Sequence, residues 1–205
     1  MRGILIALEG LDRTGKTTQT AVIKQYLESL SHPTEVIHFP ARYTQFGQQI
    51  DLFLKQKKSF DNELLHLLFS INRWELKPTI LEKLNKGTSV ILDRYSYSGV
   101  AYSLAKGLNA DWCKTPEKGL PRPDLIIYLK PEKMEDVVGR EGFGEEMYEK
   151  ADFQRKVKEA YENHIIEKNW KIVNASQNIE DVSNEIRRII SEHLKNFNGD
   201  DIHVI

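Results

Sequence analysis

From residue 9 to residue 18 the chain reads Glu-Gly-Leu-Asp-Arg-Thr-Gly-Lys-Thr-Thr, with four residues between Gly10 and Gly15, and Lys16 and Thr17 directly after them. Two glycines at this spacing, then lysine and a hydroxyl, make a loop that cradles phosphate. Ahead of it, Ile4-Leu5-Ile6-Ala7-Leu8 is an unbroken apolar run, as in a central parallel strand. Behind it, Gln19 to Leu30 places Ala21, Val22, Tyr26, Leu27 and Leu30 at helical spacing. A loop held between such a strand and such a helix aims backbone N–H groups at one point, at the positive end of the helix dipole. Lys16 adds charge for the outer phosphates, and the Thr17 hydroxyl is placed to ligate magnesium. The competing reading, an ordinary glycine turn, does not account for these flanks.

The alternation continues along the chain. Residues 35–39, 90–92, 125–129 and 170–173 read as further strands, and helices are expected over 64–84, 96–106, 132–139, 152–168 and 179–196. Pro78 is expected to kink or divide the first of these helices. Such alternation predicts a single α/β domain over 1–205, a five-stranded parallel sheet with helices on both faces. Residues 107–124, with Gly107, Pro116, Gly119, Pro121 and Pro123, read as an irregular connection. Residues 139–150 carry three glycines and read either as a surface loop or as a lid.

Composition narrows the classes. At 205 residues, 40% hydrophobic and 29% charged, the chain has the profile of a soluble globular protein. A formal charge of −1 lacks the basic excess of a nucleic-acid binder. No apolar run is long enough to span a bilayer, and Met1-Arg2-Gly3 leads into the first strand without a visible signal peptide. The one cysteine, Cys113, reads as buried and excludes an internal disulfide or a cysteine-cluster zinc site; the six histidines show no metal-ligand spacing. A reducing compartment, the cytosol, is the expectation, with nuclear and mitochondrial pools left open.

A phosphate loop defines a nucleotide, not a reaction. The Asn-Lys-x-Asp segment of guanine-reading switches is absent, since Asn85-Lys86 runs into Gly87-Thr88. Asp93 is followed by Arg94 rather than by the acidic partner common in water-activating ATPases. Arg42 and Arg94 follow strands and project at the carboxyl edge of the sheet, where ligands of open α/β folds bind. With Arg13 and Lys16 they bring four cations to one edge, enough for two phosphate-bearing substrates facing one another.

Here the chain reaches a resemblance. Gly-Leu-Asp-Arg-x-Gly-Lys-Thr-Thr-Gln, Phe-Pro-x-Arg, Leu-Leu-Phe-Ser-x-Asn-Arg-Trp-Glu, Asp-Arg-Tyr-x-x-Ser-Gly-Val-Ala-Tyr and Gly-Leu-Pro-x-Pro-Asp-Leu resemble the thymidylate kinases. The resemblance runs from residue 3 to about 190 and points to the eukaryotic and large-DNA-virus branch, down to Asp111-Trp112-Cys113-Lys114. It implies a nucleoside-monophosphate-kinase-like fold that moves the ATP γ-phosphoryl group to dTMP with magnesium, in a homodimer; the charge and the short apolar runs already argue against nucleic-acid and membrane partners.

The same resemblance implies roles. Asp12, Arg13, Thr14, Gly15, Lys16, Thr17 and Thr18, with Gln177 and Arg187, surround ATP; Thr17 and Asp93 place magnesium. Arg13, Lys16, Asp93 and Arg94 form the catalytic set, Arg13 bridging donor and acceptor phosphates. Arg42 and Arg94 grip the dTMP phosphate, Phe69 stacks on thymine, and Arg73 donates to its carbonyl edge. Asp12 accepts from the sugar hydroxyl, Tyr102 and Tyr148 line the sugar, and Phe39, Ser98, Gly99 and Gln154 complete the site. Residues 40–75 bind the monophosphate and 136–150 form the lid. From the residues alone, Phe69 belongs equally to an apolar helix stripe.

Some positions depart from the pattern. Ala41 stands where relatives often carry Glu or Gln, and Met147 where several carry Arg. The lid is acidic, with Glu141, Glu145, Glu146 and Glu149, which leaves Arg13 as the principal catalytic arginine and Arg140 as a donor-contact candidate. Two rival readings remain at this stage: a kinase for other nucleoside monophosphates or for deoxynucleosides, and a non-catalytic nucleotide-binding protein.

Overall fold

Alternate residues of the first strand divide the interior in two. In the computed structural model, which describes residues 1–140, 144 and 147–205, strand β1 spans Leu5–Gly10. Ile4, Ile6 and Leu8 pack to one side of the sheet, and Leu5 and Ala7 to the other. That two-residue period is what a strand covered on both faces requires. The remaining strands are β2 (Thr34–His38), β3 (Ser89–Asp93), β4 (Leu125–Lys130) and β5 (Lys171–Asn174). They pair in the order β2-β3-β1-β4-β5, all parallel.

Helices α1 (Lys16–Ser29) and α8 (Ile179–Leu194) cover one face, burying Ile23, Leu27, Val182, Ile186 and Ile190 against Ile6, Leu8, Ile91 and Ile127. Helices α3 (Asn62–Asn85), α4 (Ser96–Leu104) and α7 (Ala151–His164) cover the other, with Leu76, Ile80, Leu84, Val100, Ala101, Val157 and Tyr161. Each fully buried aliphatic side chain contributes on the order of 1.5–3 kcal/mol. Helix α2 (Gln45–Leu54) packs on α3 as a smaller third cluster of Ile50, Phe53, Leu54, Leu65 and Leu68.

Register fixes where the chemistry falls. Leu8 lies opposite Asp93, and His38 lies opposite Asp93 on the other side. The phosphate loop, Asp93-Arg94 and the Phe39–Arg42 turn therefore leave the sheet at one carboxyl edge. Strand order reverses at β1, whose neighbours are β3 and β4, and such a switch point opens a crevice for ligands.

The five strands and both-face cover follow the sequence expectation. Four segments differ. Pro78 does not divide α3, which runs unbroken from Asn62 to Asn85 because Leu76, Ile80 and Leu84 anchor it on both sides of the proline. Helix α2 was not foreseen, although Thr44 caps it, its side chain accepting from Gly47 N, and Ile50, Phe53 and Leu54 form its apolar face. The 107–124 connection contains a short helix α5 (Ala110–Lys114) and a 3-10 turn at Thr115–Glu117, so it is less irregular than its prolines suggest. In the 132–139 stretch only Glu135–Val138 is helical, as α6. Glu141, Glu145 and Glu146 of the expected lid lie outside the described residues.

Candidate active site

Helix α1 begins without a cap. Gly15, at φ 92°, takes the left-handed conformation that only glycine adopts without strain, and no side chain accepts from the first-turn amides. No acidic residue occupies that turn either. Thr44, Asn109 and Asn178 cap α2, α5 and α8, whereas α3, α4 and α7 share the open start of α1; what sets α1 apart is that its first turn follows the glycine loop and lines the cleft. The uncapped amides of α1 are thus left for an anion, supplied with partial positive charge by the helix itself.

These amides open into a cleft of about 800 Å³. Asp12, Arg13, Thr14, Gly15, Lys16, Thr17, Thr18, Phe39, Arg42, Phe69, Arg73, Asp93, Arg94, Ser98, Gly99, Tyr102, Tyr148 and Gln177 all line it. The structure brings together nearly every residue singled out from sequence. Two stand apart. Gln154 is fully buried behind the wall and reaches the cleft through Asp12, donating to Oδ2 at 2.6 Å and accepting from its backbone N–H at 3.0 Å. Arg187 does not line the cleft; it lies more than a turn beyond Val182 on α8, and its Nη1 donates to Asn184.

At the phosphate end, Lys16 Nζ donates to the Leu11 carbonyl, and Thr17 Oγ1 donates to Asp93 Oδ2 at 2.9 Å. Burial, followed by the neighbouring Arg94 charge, lowers the Lys16 pKa to about 7. Burial alone would raise Asp93, but the His38 hydrogen bond and the charges of Lys16 and Arg94 outweigh it and hold the carboxylate below its ordinary value. A hydroxyl and an ionised carboxylate side by side are hard oxygen donors of the kind magnesium takes, with phosphate and water completing its shell. Among the described residues no cluster of three or more His, Cys, Asp or Glu is built to hold a metal alone.

In the middle, Arg94 donates from Nη1 to the Gly10 carbonyl at 2.8 Å and from Nη2 to Asp12 Oδ1. Burial alone would lower its pKa; Tyr102, Asp12, Tyr161 and Asp93 carry it above the ordinary value, so it stays charged. Beneath it the buried Glu9 accepts from Ser98 Oγ, from Tyr161 Oη at 2.8 Å and from Tyr95 N at 2.9 Å. Arg13 and Arg94 both adopt positive φ, 57° and 66°. For a non-glycine residue this conformation carries strain, of the sort retained where an arginine must point inward.

At the far end, Arg73 is 2% exposed and donates from Nε and Nη2 to the Glu117 carboxylate. A Cβ at Gly99 would lie 2.5 Å from Arg73 Nη2, so any larger residue there would have to displace the guanidinium. Phe69 is half-buried and, like Tyr148, borders both the cleft and the α2–α3 cluster. Tyr148 stacks on Phe153 at 5.1 Å and meets Tyr102 edge-on at 5.6 Å. Beyond the phosphate loop, Ala175, Ile179 and Val182 present an apolar wall.

Sequence reasoning missed several lining residues, among them His38, Ser103, Lys106, Ile179 and Val182. Ile179 and Val182 start the apolar stripe of α8, so helical periodicity held a signal for them. Ser103 and Lys106 carried none. Arg140, a donor-contact candidate, links two walls by donating to the Arg13 carbonyl at 2.6 Å and the Ala175 carbonyl at 2.7 Å.

A parallel α/β sheet, an uncapped helix behind a glycine loop and cations converging from three strand ends define a P-loop phosphotransferase. The family model described as thymidylate kinase matches residues 8–186. A thymidylate kinase of Dictyostelium discoideum is 48% identical over 195 residues, 95% of this chain and 87% of its own length. One from Arabidopsis thaliana is also 48% identical, over 95% of this chain and 73% of its own length. The solved structure of a thymidylate kinase from Candida albicans superposes with a TM-score of 0.91 at 37% identity, covering 100% of this chain and 98% of that one. The chain belongs to the thymidylate kinase family, and with it to the ATP-dependent nucleoside-monophosphate kinases.

Proposed function

We propose that this chain transfers the γ-phosphoryl group of ATP directly to dTMP, giving ADP and dTDP, with ATP at the phosphate-loop end of the cleft, the dTMP base at the Arg73 end, and the catalytic set Arg13, Lys16, Asp93 and Arg94 where the two substrates meet. The observation that carries this reading is the convergence of the uncapped α1 amides with Arg13, Lys16, Arg42 and Arg94 on one cleft. One phosphate-bearing substrate needs fewer cations. A nucleoside acceptor would need a base for its 5′-hydroxyl, but not Arg42 and Arg94 together.

In this reading the loop amides and Lys16 hold the ATP phosphates, and the apolar wall of Ala175, Ile179 and Val182, with Gln177 at its edge, takes adenine. Thr17 and Asp93 hold magnesium, which when bound neutralises charge on the phosphates. Arg13 bridges donor and acceptor and stabilises charge on the transferring group. Arg42, whose Nη1 donates to Asp51 Oδ1 at 3.0 Å, and Arg94 take the acceptor phosphate. Asp12, held by Arg94 and Gln154, is aligned to accept from the sugar hydroxyl, with Tyr102 and Tyr148 against the sugar face. Phe69 stacks on the base and Arg73 meets its carbonyl edge. Residues 40–75 serve as the monophosphate segment and 136–150 as the lid of this one domain.

We also propose a homodimer. Leu64, Leu67, Ile71 and Trp74 recur at intervals of three and four on α3 and are 37–48% exposed, a continuous apolar stripe suited to a second copy. The net charge of −1 supports no nucleic-acid role. Among the described residues no helix is long and apolar enough to cross a membrane. We assign the chain to the cytoplasm; the single cysteine, buried with its thiol pushed up to about 11 by burial, fits a reducing compartment, and fractionation separates nuclear and mitochondrial pools.

The test is ADP release with magnesium-ATP and, in parallel, dTMP, dUMP, dCMP, AMP and thymidine. Strong turnover with dTMP and none with thymidine is expected. Turnover with thymidine would make it a nucleoside kinase, and silence with every acceptor a binding protein.

A further inference from the structure

A histidine outside the cleft fixes the polarity of a serine inside it. His66, on α3 and 1% exposed, stands with Nε2 2.9 Å from the Cys113 carbonyl and Nδ1 2.8 Å from Ser103 Oγ. A carbonyl only accepts, so Nε2 carries the ring hydrogen. Burial, then the charge of Arg73, holds the His66 pKa below its ordinary value, and the ring is neutral at pH 7. Nδ1 is then an acceptor, and the Ser103 hydroxyl spends its one hydrogen on it. What Ser103 offers to the cleft it lines is an acceptor alone.

Its neighbour offers a donor. Arg73 lies two turns along α3 from His66, and with Nε and Nη2 committed to Glu117, its Nη1 has no hydrogen-bond partner among the described residues. Arg73 meets Gly99, one turn of α4 from Ser103, roughly 6 Å along the helix. A fixed donor and a fixed acceptor thus border the same end of the cleft, beside Phe69.

We propose that His66 is a positioning residue that sets Ser103 as an acceptor, so that Ser103 and Arg73 together select a pyrimidine bearing an N–H next to a 4-carbonyl and refuse the 4-amino ring. A 4-amino pyrimidine presents a ring nitrogen lone pair to Ser103 and an amine to Arg73, which sets acceptor against acceptor and donor against donor. Leaving such groups unpaired is how a buried site rejects a near-isostere. This rests on the dTMP reading above and names which side chains enforce it.

The test compares dTMP with 5-methyl-dCMP, which differ only at the ring N3–H and the 4-substituent, in the full chain with magnesium-ATP. Ser103→Ala is expected to raise the dTMP KM about tenfold, the size of one hydrogen bond, with kcat held within about threefold. His66→Phe leaves the Ser103 hydroxyl free to rotate and donate, so the ratio of kcat/KM for dTMP over 5-methyl-dCMP falls about tenfold. His66→Asn, whose amide oxygen can stand where Nδ1 does, retains most of that ratio and provides the readout if the phenylalanine variant does not fold. A ratio within twofold of wild type in both folded Ser103→Ala and His66→Phe, or one that falls as far in His66→Asn, overturns the inference. Wild-type protein that turns over neither nucleotide overturns the kinase reading instead, and this inference with it.

Discussion

The Arg13 guanidinium of the phosphate loop lies against Glu149, Nε to Oε1 at 2.7 Å, although 136 residues separate them. The second oxygen of Glu149 accepts from Gly144 N at 3.0 Å, so one carboxylate joins the loop to the segment just before α7. Arg13→Ala is expected to lower kcat by about a hundredfold while leaving the ATP KM within about threefold, as removal of a transition-state donor does. Steady-state kinetics at saturating dTMP reads both; near-wild-type turnover would take Arg13 out of the catalytic set.

Phe69 borders both the cleft and the α2–α3 cluster. Phe69→Ala should raise the dTMP KM by about three- to tenfold, in line with the roughly 0.5–1.5 kcal/mol of a ring stack. The same assay decides it, and an unchanged KM would return Phe69 to a packing role.

Arg73 and Glu117 are each no more than 2% exposed and pair through two hydrogen bonds. Glu117→Ala strands the guanidinium in the interior and should cost about 3–5 kcal/mol. Urea unfolding measures this as a lower midpoint at constant slope. A loss under about 1 kcal/mol would mean that water or another group replaces the carboxylate.

Lys16 gives a pH prediction. Its pKa of about 7 in the free protein lies below the ordinary lysine value because of burial and then Arg94. Between the two values the unfolded chain keeps a proton that the folded chain has lost, so this residue makes stability rise with pH across that window. Phosphate beside Nζ favours the charged form, so ATP binding at about pH 8 should draw in a proton and weaken as pH rises. Calorimetry in two buffers of different ionisation enthalpy detects the uptake. Equal heats in both would refute it, and Lys16→Met should abolish it.

The α3 stripe predicts that Ile71→Glu shifts the protein to monomer. Sedimentation velocity measures this; an unchanged mass would exclude that face as the contact.

The sequence by itself determined the strand–loop–helix around Gly10 to Thr18, the five parallel strands and the arginines at their carboxyl ends. These are local signals: apolar runs, helical spacing and a loop motif whose geometry follows from adjacent residues. Helix α2 also lay within reach, through Thr44 and its apolar face. Tertiary structure decided what depended on partners distant in the chain. Gln154 sits behind Asp12 rather than in the cleft, Arg187 does not line it, and Pro78 stays inside an unbroken helix because Leu76, Ile80 and Leu84 are anchored in the core. Glu117 meets Arg73 across 44 residues, and His66 meets Ser103 across 37. No periodicity encodes such pairs, since the packing of α3 against α4 and the 107–124 connection brings them together, and only that packing turns a serine hydroxyl into a fixed acceptor.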